Sequence, residues 1–141
     1  MIRVYCKNTG KSRDFTEGVT LQEVLSDFQF DQPYRIVSAK VNNVSQGLRY
    51  KLYNSRDVEF LDVRDARGML VYCRSLCFLL YKACCEALPG SKLYIEHPIS
   101  NGFYCNLFLA DDTHASVSDI DMVREKMEEL VREDVKFHRR E

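Results

Sequence analysis

Ile2-Arg3-Val4-Tyr5-Cys6, then Asn8-Thr9-Gly10-Lys11, then Thr20-Leu21-Gln22-Glu23: these segments decide how the chain folds. Ile2, Val4 and Cys6 alternate with polar residues, the two-residue period of a half-buried strand. The Asn-Thr-Gly-Lys segment supplies turn chemistry, so residues 12–16 are expected to return as the second strand of a hairpin. Thr20 and Glu23 have capping-box spacing: the threonine hydroxyl accepts from the Glu23 backbone N–H while the glutamate reaches back. Val24, Leu25 and Phe28 then give a short helix one apolar face.

Working outward, residues 34–41 read as a strand, Asn42-Asn43 as a turn and 57–63 as a last alternating strand. Hairpin, helix, strand, strand is the order of a β-grasp fold, and a sheet gripping one helix closes a core within so short a segment. The polar run Arg64-Asp65-Ala66-Arg67-Gly68 breaks the pattern, which places a boundary there and a first domain over 1–63. The second unit, 68–141, opens with a helix over 69–88. It is apolar on nearly every side and is therefore expected to be long, central and buried against an antiparallel sheet. Pro89-Gly90 stops it. Residues 92–96 and 102–109 read as strands around the turn-rich Pro98-Ile99-Ser100-Asn101. Ser118, with Asp121 three residues on, is expected to open a helix to about Asp134. Its apolar stripe is Ile120, Val123, Met127, Leu130 and Val131. The fold class is α+β.

Composition bounds the function. In 141 residues, 45% hydrophobic content with only six Gly and three Pro excludes a disordered or collagen-like chain. The net charge is −1, with nine cations against eight carboxylates before residue 64 and 11 against 13 from residue 64 onward. A protein that wraps duplex nucleic acid needs clustered cations, and neither half has them overall. The six cysteines do not form a disulfide framework: Cys84 and Cys85 are adjacent, and Cys73, Cys77 and Cys84 lie in one apolar segment. Residues 69–88 carry Arg74, Lys82 and Glu86, a poor bilayer span. A reduced, cytoplasmic protein with no membrane partner is expected.

No phosphate-cradling glycine loop and no Cys-x-x-Cys pair is present. His97, His114 and His138 lie in separate segments, so no metal site and no catalytic residue is expected. Cys73, Cys77 and Cys84 share a helical face and could hold a soft metal, but cysteine also packs as a small hydrophobe. His97 before Pro98 is either a catalytic imidazole or an incidental loop residue. Arg74 either pairs with a carboxylate such as Glu96 or meets an anion at the mouth of a cleft. Lys136, His138, Arg139 and Arg140 form a weak basic cluster.

Residues 1–63 resemble a TGS domain, the β-grasp module of threonyl-tRNA synthetases, some GTPases and stringent-response enzymes. From Gly68 the chain resembles the next threonyl-tRNA synthetase domain, which hydrolyses mischarged tRNA. The most specific match is Leu93-Tyr94-Ile95-Glu96-His97-Pro98-Ile99-Ser100-Asn101-Gly102-Phe103-Tyr104, continued by Met127-Glu128-Glu129-Leu130. In that family the long helix carries His-x-x-x-His; the corresponding positions here are Arg74 and Phe78. Ser100 and Asn106 stand where the family has Asp, and its later half-site of Cys and His would lie beyond Glu141. The resemblance thus implies a kept scaffold, with editing chemistry lost and the domain truncated.

With Tyr72-Cys73-Arg74-Ser75-Leu76-Cys77 and Tyr94-Ile95-Glu96-His97-Pro98, the pattern resembles a second group more closely, bacterial nucleoside kinases resembling uridine kinase. In these a threonyl-tRNA-synthetase-like region precedes a P-loop kinase domain. That resemblance implies a non-catalytic accessory region that binds RNA, a nucleotide or a partner. ATP and Mg would then belong to the downstream kinase domain of the same chain. The alternative is an aminoacyl-tRNA editing or recognition fragment with lost catalytic histidines, and a third reading is a structural or oligomerising module. Arg74, Phe78, His97, Asn101 and Tyr104 are the candidate ligand-binding residues.

Overall fold

The computed structural model describes residues 1–29 and 31–138; Arg139 and Arg140 of the basic cluster lie outside the described residues. Two compact units, Met1–Arg74 and Ser75–Glu141, divide the chain. The fold is α+β, with three helices and several sheets.

In the first unit β1 (Ile2–Cys6) and β2 (Lys11–Phe15) form the expected hairpin, with Ile2 opposite Phe15 and Cys6 opposite Lys11. β1 then runs parallel to β7 (Arg56–Leu61), which pairs antiparallel with β4 (Ser38–Val41). β5 (Val44–Gln46) completes the order β2-β1-β7-β4-β5. Asn42 and Asn43 make the β4–β5 turn with φ of 48° and 67°, a left-handed pair that asparagine tolerates. A small pair, β3 (Val19–Thr20) with β6 (Lys51–Leu52), stands beside the sheet.

α1 (Leu21–Phe28) is capped as its sequence requires. The Glu23 N–H donates to the Thr20 hydroxyl at 3.3 Å, and the Thr20 N–H donates to the Glu23 carboxylate at 2.8 Å. Leu21, Val24 and Phe28 face inward and pack with Val4, Cys6, Val58 and Phe60. Fully burying an aliphatic side chain of this kind contributes about 1.5–3 kcal/mol. A core of this density is what so small a sheet needs. The strand expected over 34–41 begins only at Ser38; the segment before it is irregular, following Pro33.

The polar run after β7 is a built corner. Arg64 donates to both Asp62 carboxylate oxygens, at 3.1 and 2.6 Å, and its backbone N–H donates to Oδ1 at 2.9 Å. These bonds hold the buried Asp62 carboxyl below its ordinary range. A carboxylate whose folded pKa is depressed stabilises the fold above its unfolded value of about 3.9 and loses that contribution as pH falls through the folded value. Urea midpoints followed from pH 6 down to pH 2 are expected to fall less steeply in Asp62→Asn than in wild type. Identical pH profiles would remove this pair from the acid sensitivity.

Helix α2 (Ala66–Ala87) starts three residues earlier than its apolar pattern suggested. It is as long as expected but not the buried helix expected. Only Gly68, Ala83 and Cys84 are buried, while Met69, Leu70, Tyr72, Leu76, Phe78 and Tyr81 are 40–56% exposed. An all-round apolar sequence states a need for partners, which the described residues do not supply to most of its faces. By length and composition alone the helix is apolar enough to cross a membrane. Its lower end is tied by ion pairs, Lys82 to Glu86 at 2.8 Å and Glu86 to Lys126 at 3.4 Å.

In the second unit β8 (Lys92–Ile99) pairs antiparallel with β9 (Gly102–Phe108), and α3 (Val117–Arg132) packs with the end of α2 through Ala83, Cys84, Val123 and Leu130. Two details correct the sequence reading. α3 is capped by Ser116 with Asp119, not by Ser118 with Asp121; the Ser118 hydroxyl instead meets that of Ser116 at 3.1 Å. Ile120 and Val131 of its stripe are 48% and 64% exposed, so Val123 and Leu130 alone are buried and Met127 is half-buried.

Candidate functional site

β8 continues through Pro98 and Ile99, where a turn was expected, because it accommodates one extra residue. Ile95 pairs with Cys105 and Pro98 with Phe103, so Glu96 and His97 together oppose Tyr104 alone. Such a bulge re-aims side chains locally. Here it places the His97 ring against that of Tyr104, stacked at 5.4 Å with 21° between planes. Further along the ladder Tyr94 lies edge-on to Phe108 at 5.9 Å, and Phe108 meets His114 at 4.7 Å. The Tyr104 hydroxyl donates to the Asn106 side-chain oxygen at 3.4 Å. Tyr94 and Tyr104 are 51% and 44% exposed, an open row of rings and an amide on a two-stranded face.

The opposite face of the hairpin, with Leu93 and Leu107, packs toward α2 and α3. Beside it is a cavity of about 290 Å³ lined mainly by apolar groups, with Cys84, Cys105, Asn106 and His114 as its polar members. Burial pushes the Cys84 thiol up to about 11 and raises that of Cys105. Both are protonated at neutral pH and neither is an activated nucleophile. Among the described residues no group of three or more His, Cys, Asp or Glu stands together to hold a metal.

Thiol labelling is therefore expected to be ordered. At pH 8 only about one Cys84 in a thousand is a thiolate, and Cys6 is equally buried, whereas Cys85 is exposed. Peptide mapping after brief alkylation should find Cys85 modified first and Cys6 and Cys84 last; early labelling of Cys84 would contradict its burial.

The candidate residues named from sequence fall in different places. His97 and Tyr104 are in contact, and Asn101 occupies the turn at the tip of the same hairpin, beside Ser100 with φ of 52°. Phe78 lies on α2, 56% exposed and edge-on to Phe137 at 5.3 Å. Arg74 is exposed on α2 and makes no ion pair among the described residues. Sequence reading did not single out Tyr94, Cys105 or His114. Alternation of apolar and polar residues along β8 gives the faces but not the bulge, and the bulge decides which rings meet.

No family model matches the chain. Over nearly its whole length it is similar to a part of several threonine–tRNA ligases. It is 29% identical over 139 residues to the threonine–tRNA ligase of Acetivibrio thermocellus, covering 99% of this chain and 21% of that protein. The threonine–tRNA ligase of Desulforamulus reducens is 27% identical with the same coverage, and that of Syntrophomonas wolfei 28% identical over 142 residues, 100% of this chain and 22% of that protein. The chain spans about a fifth of the length of the curated relatives it matches. These relatives give the nucleoside-kinase expectation no support.

Proposed function

We propose that this chain is a tRNA-recognition fragment of a threonyl-tRNA synthetase-like protein, without hydrolytic editing activity of its own. It comprises a TGS-like β-grasp unit over 1–63 and an editing-like segment over 68–141. The observation that carries this reading is the row of exposed rings on β8–β9. Unpaired RNA is recognised by stacking its bases on aromatic side chains while amides and hydroxyls read their edges, and Tyr94, His97, Tyr104 and Asn106 supply both groups. The similarity to ligases that act on threonine and tRNA supports the choice of RNA.

Loss of hydrolysis follows from chemistry. Deacylation needs a base or an activated nucleophile beside the ester. By the resemblance, Arg74 and Phe78 stand for the family's histidine pair, and neither would serve: a guanidinium stays protonated and a phenyl ring has no proton to move. ATP and Mg have no role in this segment; the kinase reading would place them in a separate domain and rests on resemblance alone. A cytoplasmic setting goes with a tRNA ligand.

Purified chain titrated with unacylated tRNA should bind it, and incubated with seryl-tRNA should leave the ester intact beyond the buffer rate. Absence of tRNA binding removes the recognition role. Catalysed release of serine removes the non-catalytic one.

A further inference from the structure

We propose that the outward face of the first unit's sheet is a second RNA site, holding the sugar-phosphate backbone of a single strand. The inference rests on reading the chain as an RNA-binding fragment. An open concavity of about 660 Å³ lies between β1, the β4–β5 turn and the start of β7. Arg3, Lys7 and Arg56 line it against a single lining carboxylate, Asp57, together with Ser12, Ser55, Asn42 and Asn43.

Several other charges on this sheet are matched. Lys40 pairs with Glu59 at 3.6 Å, and Arg3 holds Asp14 through two bonds of 2.9 and 3.3 Å. Lys7 and Arg56 are not. Lys7 reaches only the neutral amide of Asn43, at 3.5 Å, and Arg56 is exposed with no ion pair among the described residues. A solvated sheet face commonly pairs its cations with cross-strand carboxylates. Two cations left unmatched at one concavity make an anion-binding surface inside a unit whose charges otherwise nearly balance.

The remaining lining fits a nucleic-acid strand rather than a bare anion. Tyr5 lies on β1 between Arg3 and Lys7 and is 38% exposed, open for a base to stack on its ring. The Asn42–Asn43 turn presents side-chain amides at the rim; Asn42 uses its oxygen on the Asp57 N–H, at 3.1 Å. The Asp57 carboxylate would repel a phosphate but accepts from a ribose 2′-hydroxyl, the group by which proteins tell RNA from DNA. Two unmatched cations for phosphates, a ring for a base and one acceptor for a sugar are the parts of a single-strand site.

Fluorescence anisotropy of a short labelled single-stranded RNA, and of DNA of the same sequence, tests this across about 50–200 mM salt. Lys7→Ala with Arg56→Ala is expected to weaken RNA binding about tenfold at the low end. It should also make the log–log salt dependence shallower by about 1.4, at roughly 0.7 for each phosphate no longer neutralised. Lys7→Arg should retain binding, and Asp57→Ala should erase the preference for RNA over DNA. Unchanged affinity and slope in the Lys7/Arg56 variant, with binding abolished in Tyr94→Ala with Tyr104→Ala, would overturn this site and leave the β8–β9 reading standing. The reverse pattern would keep this site and overturn the other.

Discussion

Gly68→Ala chains should unfold at a clearly lower denaturant concentration than wild type, with a loss of about 2 kcal/mol. A methyl group normally helps a helix, by about 1 kcal/mol relative to glycine. At Gly68, buried in the first turn of α2, a Cβ would run into the Asp62 carbonyl oxygen and lie 2.8 Å from its carbon. Both are backbone atoms at the corner that Arg64 and Asp62 build, so relief requires moving the helix start or breaking the corner. Overpacking of this kind costs about 1–3 kcal/mol and can exceed that, which outweighs the propensity gain. Guanidinium unfolding followed by circular dichroism measures the difference, with Cys85→Ala at an exposed site on the same helix as the control. A midpoint at or above wild type for Gly68→Ala would mean the corner yields freely.

The largest functional effect is expected on the second unit. Tyr94→Ala with Tyr104→Ala removes two exposed rings whose stacking on bases is worth about 1–3 kcal/mol each by truncation. Because both rings lie on one face their contributions need not add, so a combined loss of about 2–3 kcal/mol is expected, roughly 30- to 150-fold in affinity. Both side chains are about half exposed, so the fold should survive and circular dichroism should not change. Tyr94→Phe with Tyr104→Phe keeps the stacking surface and forfeits only the bond to Asn106, so it should bind nearly as wild type. Equal loss in the phenylalanine pair would assign the affinity to hydroxyl contacts, and no loss in the alanine pair would take RNA off this face.

The two units differ in how far their sequences reveal them. In the first, strand alternation and the Thr20–Glu23 capping box are local signals with local causes, and both appear in place. In the second, the chain offers two Ser-x-x-Asp frames two residues apart, and a capping rule cannot choose between them; Ser116 caps, and Ser118 becomes a helix residue bonded to it. The apolar content of α2 was legible, its exposure was not, because burial is a property of what packs against a helix rather than of the helix. The site residues follow the same division. His97 and Tyr104 could be named from a hairpin motif, but their contact needs the extra residue in β8. Lys7 and Arg56 are far apart in sequence and become neighbours of one concavity only through the parallel pairing of β1 with β7.

The two-against-one pairing at Glu96 and His97 also has an evolutionary reading. Whichever of the two survived a one-residue deletion would fall into regular register opposite Tyr104. Losing Glu96 would keep a ring beside the tyrosine, and losing His97 would put a carboxylate there, which repels phosphate. At this position a change of chain length does what point substitution does elsewhere. Relatives that shorten β8 by one residue would therefore divide into two binding classes according to which residue was deleted, whatever their overall identity to this chain.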